Sequence, residues 1–299
     1  MWRRFSPATG QTSKTGLVTS SPVDFSDTEA SREFAVSRDG TRIPVNILRL
    51  KDTKLDGENP TVVAGYGGYG ISNGPRFDAA RRLLIEQGVV FAVANLRGGG
   101  EFGEEWHWAG ALTNKQNVFD DFAAVLKHMI ERRCTSSDRL ALIGGSNGGL
   151  LMGAMITQQP GLFKAAVSFV GIYDMLWSEL SPNGAFDVPE FGSVKDERRF
   201  QALYAYSPYH RVVAGTRYPA VLFSTGANDP RVDPAHSRKM TARLQAATAS
   251  SAPVLLRTSA KTGHGLDTPL SERIEQTVDV HAFLFHQLGV SCRPVGARR

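Results

Sequence analysis

Leu140-Ala141-Leu142-Ile143-Gly144-Gly145-Ser146-Asn147-Gly148-Gly149-Leu150-Leu151-Met152-Gly153-Ala154 is the stretch that decides the fold. Residues 139–145 form a short apolar run of the kind that fills a buried strand, and residues 148–159 continue as an apolar helix. Ser146 stands at the junction with a glycine two positions away on either side, the pattern G-x-S-x-G. A residue at so sharp a strand-to-helix turn takes a strained backbone conformation, and the flanking glycines remove side chains that would collide. Its hydroxyl then stands clear of the sheet's edge, above a helix N-terminus whose free amides favour developing negative charge. As bare letters the pattern is weak, and a glycine-rich structural turn is the plain competing reading. The strand before it and the helix behind it give it weight.

The same alternation extends outward in both directions. Strands are expected at residues 61–65, 89–95, 139–145, 164–171, 219–226 and 254–259, and helices at 77–87, 118–132, 148–159, 235–247 and 270–288. Near-continuous apolar strands separated by helices imply a parallel sheet covered on both faces. Upstream, residues 33–37 and 41–50 flank an Arg38-Asp39-Gly40 turn and read as an antiparallel hairpin. The fold class is therefore α/β, a mostly parallel doubly wound sheet with an N-terminal antiparallel hairpin. Residues 1–30 read as a tail or lead-in strand, residues 31–299 as the domain proper, and residues 175–215 as an irregular insertion.

Length and composition bound the function. The chain has 299 residues, 41% apolar and 21% charged, enough for a large buried core. No uncharged apolar run approaches the ~18 residues that span a bilayer. The basic start Met1-Trp2-Arg3-Arg4 has no apolar stretch behind it, so a cytoplasmic protein without membrane partners is expected. Thirty-four basic and 29 acidic residues leave +5, but the basic residues are scattered, which argues against nucleic acid. Cys134 and Cys292 match no metal spacing and read as idle thiols, and nothing calls for a metal or cofactor.

A serine needs a base and an orienting carboxylate, which in such a sheet follow it in the order acid, then histidine, on loops after later strands. His128, His236, His281 and His286 lie on expected helices, and His107 and His210 lie in loops remote from a late strand. His264 follows the 254–259 strand within Gly263-His264-Gly265, where the glycines let an imidazole reach the sheet edge. After the 219–226 strand, Asp229 and Asp233 are the candidate acids. Asp229 is favoured, because Asp233 adjoins Pro234 at a helix start and reads as a cap.

A rival of another class rests on two G-x-G-x-x-G matches, Gly65 to Gly70 and Gly98 to Gly103, with Asp120 about 20 residues beyond the second. A dinucleotide site requires such a loop to open directly into a helix, which neither is expected to do. Glu104 and Glu105 also put acid where a phosphate would sit.

With these residues in place, the chain resembles the catalytic domain of the prolyl oligopeptidase family of serine peptidases, an α/β-hydrolase fold. The similar stretches are Tyr66-Gly67-Gly68-Tyr69-Gly70, Asn95-Leu96-Arg97-Gly98-Gly99-Gly100-Glu101, Phe119-Asp120-Asp121-Phe122, the Ser146 turn, Tyr206-Ser207-Pro208-Tyr209-His210, Asn228-Asp229-Pro230-Arg231-Val232 and Gly263-His264-Gly265. The resemblance implies Ser146 as nucleophile, Asp229 as orienting acid and His264 as base. It also implies an oxyanion hole from the Asn147 amide and the Tyr66 hydroxyl. Arg231 is implied to hold a substrate carbonyl, and Tyr69, Phe191 and Val232 to line the pocket for the residue before the cut bond.

Two departures stand out. The family tryptophan that stacks on substrate proline falls at Asp187, with Phe186 beside it as a substitute if the loop shifts by one residue. The family's β-propeller has no counterpart here beyond a fragment in residues 3–16 similar to a last blade, so a truncated or naturally shortened member is expected. Without that covering domain, amide cleavage should suffer more than ester cleavage. The expectation is therefore a carboxylesterase on short acyl esters, with post-proline cleavage of short peptides as the alternative. The surface that a propeller covers also suggests a homo-oligomer.

Overall fold

The computed structural model describes residues 2–17, 21, 23–74, 77–265 and 268–293. Two short strands, β1 (Arg3–Phe5) and β2 (Thr12–Lys14), pair antiparallel in a small exposed sheet of their own. Eight more build the main sheet: β3 (Thr28–Val36), β4 (Arg42–Leu50), β5 (Thr61–Ala64), β6 (Val90–Ala94), β7 (Leu140–Gly145), β8 (Ala165–Phe169), β9 (Ala220–Gly226) and β10 (Val254–Ser259), in the order β10-β9-β8-β7-β5-β6-β4-β3. From β10 to β6 every pairing is parallel, and β4 and β3 close one edge antiparallel.

Among the described residues ten α-helices follow in chain order: α1 (Arg81–Glu86), α2 (Glu104–Trp108), α3 (Gln116–Glu131), α4 (Asn147–Gln158), α5 (Met175–Ser178), α6 (Val188–Phe191), α7 (Glu197–Tyr206), α8 (Pro208–Arg211), α9 (Ala235–Ala247) and α10 (Leu270–Leu288). Alternation along the strands divides the core in two. Val63, Leu142, Ala166 and Val221 face a layer with residues of α3, α4 and α9, whereas Val62, Ala141, Val167 and Leu222 face α1 and α10. Residues 147–156 of α4 are buried all round, which explains a helix with no polar face beneath the sheet's central strands.

Three local expectations change. β3 starts at Thr28 and so crosses the boundary drawn at residue 31; its polar stretch carries little alternation and is held by register with β4, from Thr28 opposite Leu50 to Val36 opposite Arg42. The helix expected over 77–87 shortens to α1, because Asp78 Oδ1 accepts the Ala80 N–H in a local turn that competes with helix. The stretch 175–215 is not irregular but carries α5 to α8, and His107 and His210 lie on α2 and α8 rather than in loops. Among the described residues no helix is long and apolar enough to cross a membrane.

Candidate active site

Ser146 sits between the end of β7 and the start of α4 with φ 58° and ψ −120°. A Cβ on Gly144 would run into the Gly148 carbonyl, and one on Gly148 would lie 2.7 Å from the Gly65 carbonyl oxygen. The Ser146 N–H donates to Phe169 O at 2.9 Å, and its carbonyl accepts from Gly149 and Leu150 at 2.8 and 3.1 Å. The strained residue is thus fixed from both sides.

Because β7, β8, β9 and β10 run parallel, their C-terminal loops gather at one edge, and Asp229 and His264 arrive beside Ser146. His264 Nε2 lies 3.0 Å from Ser146 Oγ, and His264 Nδ1 lies 2.8 Å from Asp229 Oδ2. The Asp229 side chain is closed to solvent, and its other oxygen accepts the Arg231 and Val232 amides at 2.8 and 3.0 Å. With the carboxylate holding the Nδ1 proton, Nε2 is left as an acceptor aimed at the serine hydroxyl. Asp233, the other candidate acid, accepts the Ala235 N–H at the start of α9.

Directly behind this loop, buried His236 on α9 accepts the Tyr173 and Asp174 amides at Nδ1, 3.3 and 3.2 Å. Burial pulls its imidazole down from 6.5 to about 4. Between those values the unfolded chain binds a proton that the native protein does not, so stability falls as pH drops through that window. Urea unfolding at pH 7.5 and 4.5 should show a loss of about 3 kcal/mol from this group. His236→Asn should reduce that loss, and an unchanged pH dependence in the variant contradicts the assignment.

The Asn147 amide lies in the first turn of α4, where backbone N–H groups have no helical acceptor. The Tyr66 hydroxyl lies against Ser146; burial pushes the phenol up, opposed by that hydrogen bond, so it stays a neutral donor. Asn147 Nδ2 donates to Tyr66 O at 2.6 Å and ties the two expected oxyanion donors together. Tyr66→Phe should lower kcat/KM on p-nitrophenyl acetate on the order of 10²-fold. An unchanged rate removes Tyr66 from that position.

Beneath this loop is a network the sequence did not announce. Buried Lys115 donates to Gly67 O and to Glu190 Oε1, both at 2.9 Å, and Glu190 Oε2 lies 2.7 Å from His107 Nε2. Arg97 similarly pairs with Asp121 at 2.6 Å under the neighbouring glycine loop. The partners in the first network are 75 and 83 positions apart, so no spacing signal could have joined them.

The expected pocket residues converge beside Tyr66. Tyr69 stacks on Phe186 with ring centroids 5.8 Å apart and meets Phe191 edge-on at 5.8 Å, and Val232 is buried. Arg231 is exposed, and its charge is felt at Tyr66. Phe186 is 66% exposed, whereas Asp187 turns inward to accept from Tyr69 Oη at 2.7 Å and Ser178 Oγ at 3.0 Å. The aromatic face at this position thus belongs to Phe186, and a carboxylate takes the interior.

The dinucleotide rival fares poorly, although the expectation that neither glycine loop opens into a helix is not met. The second glycine loop does open into a helix, α2, with Gly103 as its N-cap. That helix has five residues and carries Glu104 and Glu105 in its first turn, repelling a phosphate. The two glycine loops instead bond each other, Gly70 N–H to Gly98 O at 3.0 Å, and Asp120 accepts from Gln116 Nε2 at 2.9 Å. Among the described residues no cluster of His, Cys, Asp and Glu could hold a metal ion.

A strained serine at the sheet's edge, an imidazole in contact with it and a buried carboxylate behind the ring have the layout of a candidate active site on the α/β-hydrolase fold. The profile of the prolyl oligopeptidase family matches residues 75–291. A prolyl endopeptidase of Elizabethkingia miricola is 42% identical over 258 residues, 86% of this chain and 37% of that protein. An uncharacterized peptidase of Sinorhizobium fredii is 40% identical over 284 residues, 94% of this chain and 38% of that one. A solved prolyl endopeptidase superposes with a TM-score of 0.93 at 41% identity, covering 97% of this chain and 42% of its own. Prolyl oligopeptidase B of Galerina marginata does so with a TM-score of 0.91 at 34% identity, again over 97% of this chain and 42% of its own. The chain belongs to the prolyl oligopeptidase family. It spans about two fifths of the length of these relatives.

Proposed function

We propose that this chain cleaves acyl bonds of short peptides through an acyl-enzyme on Ser146. His264 takes the Ser146 proton as Oγ attacks the carbonyl carbon, and the oxyanion is held by the Asn147 amide and the Tyr66 hydroxyl. His264 then gives that proton to the leaving amine as the C–N bond breaks. Water, deprotonated by the same imidazole, releases the acid and restores the serine. The observation that carries this reading is the unbroken chain of contacts from Ser146 Oγ through His264 to Asp229.

The same contacts serve esters, so the choice of substrate rests on other grounds. The relatives named above as prolyl endopeptidases and a peptidase favour peptides over the short acyl esters expected from sequence. The test compares a blocked dipeptide aminomethylcoumarin amide with p-nitrophenyl butyrate on the same preparation. Amide cleavage that disappears in Ser146→Ala is the expected result; ester turnover with no amide cleavage returns the function to a carboxylesterase.

A further inference from the structure

We infer that Lys115 is a positioning residue for the oxyanion donor Tyr66, holding its loop through the Gly67 carbonyl with Glu190 and His107 as its support. This rests on the hydrolase reading above and gives a role in it to three side chains outside the triad.

The loop that carries Tyr66 fits closely but is not stiff in itself. Residues 65, 67 and 68 are glycine. A Cβ on Gly65 would strike Leu151 and Phe122, one on Gly67 would strike Val118, and one on Gly68 would strike the Asn147 side chain, so α3 and α4 leave room for nothing larger. Three glycines in four residues also leave the backbone more freedom than other residues would. An oxyanion donor, by contrast, works by being in place before the charge forms. The Tyr66 hydroxyl stands at the far end of a long side chain, where a small turn of the backbone is magnified.

Two side chains remove that freedom. Asn147 Nδ2 on α4 donates to Tyr66 O at 2.6 Å, and Lys115 Nζ, just before α3, donates to the next carbonyl, Gly67 O, at 2.9 Å. Successive peptide groups after Tyr66 are thus pinned to two packed helices. Lys115 is 1% exposed, and hiding an ammonium from water to hold one carbonyl is costly. Buried Glu190 offsets that cost: its Oε1 accepts from Lys115 at 2.9 Å, and its Oε2 lies 2.7 Å from His107 Nε2, so the carboxylate is held from both sides. The ammonium serves Tyr66 in a second way. The charge of Glu190 is felt at Tyr66, where it pushes the phenol up and weakens it as a donor. Lys115, paired with that carboxylate, offsets its field. A neutral side chain at position 115 loses both the pin and the counter-charge.

The experiment is a double-mutant cycle on p-nitrophenyl butyrate with Lys115→Met, Tyr66→Phe and the two combined, each checked by a thermal melt. Lys115→Met should lower kcat on the order of 10-fold and leave KM within about twofold, the mark of an interaction realised in the transition state. In the Tyr66→Phe background, where the donor is already gone, the same change should cost less than about twofold. Lys115→Gln, which keeps an N–H donor without the charge, runs the same cycle with a smaller loss expected and carries the test if Lys115→Met does not fold. An unchanged kcat in the folded variant, a loss confined to KM, or an equal loss with and without the Tyr66 hydroxyl overturns the inference. In each of those outcomes, rates that vanish in Ser146→Ala leave the hydrolase reading standing; rates that persist there sink both.

Discussion

Replacing Ser146 by alanine is expected to lower turnover of every ester and amide by about 10⁶-fold. Ser146 Oγ is the atom toward which His264 Nε2 is aimed at 3.0 Å. What remains in the variant is water attack assisted by the Asn147 amide and Tyr66, a far weaker route. The substitution removes one oxygen from a site already fixed by backbone bonds to Phe169, Gly149 and Leu150, so the fold should persist. Initial rates on p-nitrophenyl butyrate, read beside a thermal melt, check this. A folded variant that keeps more than a small fraction of the rate would mean that the nucleophile lies elsewhere.

Asp229→Asn is the second large effect, about 10⁴-fold in kcat. Asp229 Oδ1 already accepts the Arg231 and Val232 amides, so an asparagine keeps its oxygen there and turns its NH₂ toward His264. Nδ1 must then accept, which places the ring proton on Nε2 and aims it at Ser146 Oγ. The ring is in place but in the wrong tautomer. The expected signature is a collapsed kcat with little change in KM. A variant with wild-type kcat would reduce Asp229 to a structural carboxylate.

The parts legible in the sequence were those that a local physical requirement writes into adjacent residues. Gly144 and Gly148 stand where a side chain would strike the chain, so the Ser146 turn could be read from letters alone. The apolar strands, each within a few residues of its bounds, followed from burial on both faces. Asp229 and His264 were reachable because parallel strands send successive loops to one edge.

What escaped depends on contacts between distant segments. β3 draws its stability from register with β4 rather than from its own alternation. The short helices of the 175–215 stretch are tied to one another across the chain, as where the Met175 N–H of α5 donates to Ser207 Oγ at 3.1 Å. The Lys115–Glu190–His107 network joins three polar residues that in sequence look like ordinary surface positions. The inward turn of Asp187 and outward turn of Phe186 were undecidable from two adjacent letters.

The most direct test of the account treats the protein with a fluorophosphonate and maps the adduct by peptide mass spectrometry. The account predicts one stoichiometric adduct on the peptide containing Ser146, formed in parallel with loss of activity and slowed sharply in Asp229→Asn. Inactivation with the adduct on another residue, or full activity with Ser146 fully modified, would contradict it.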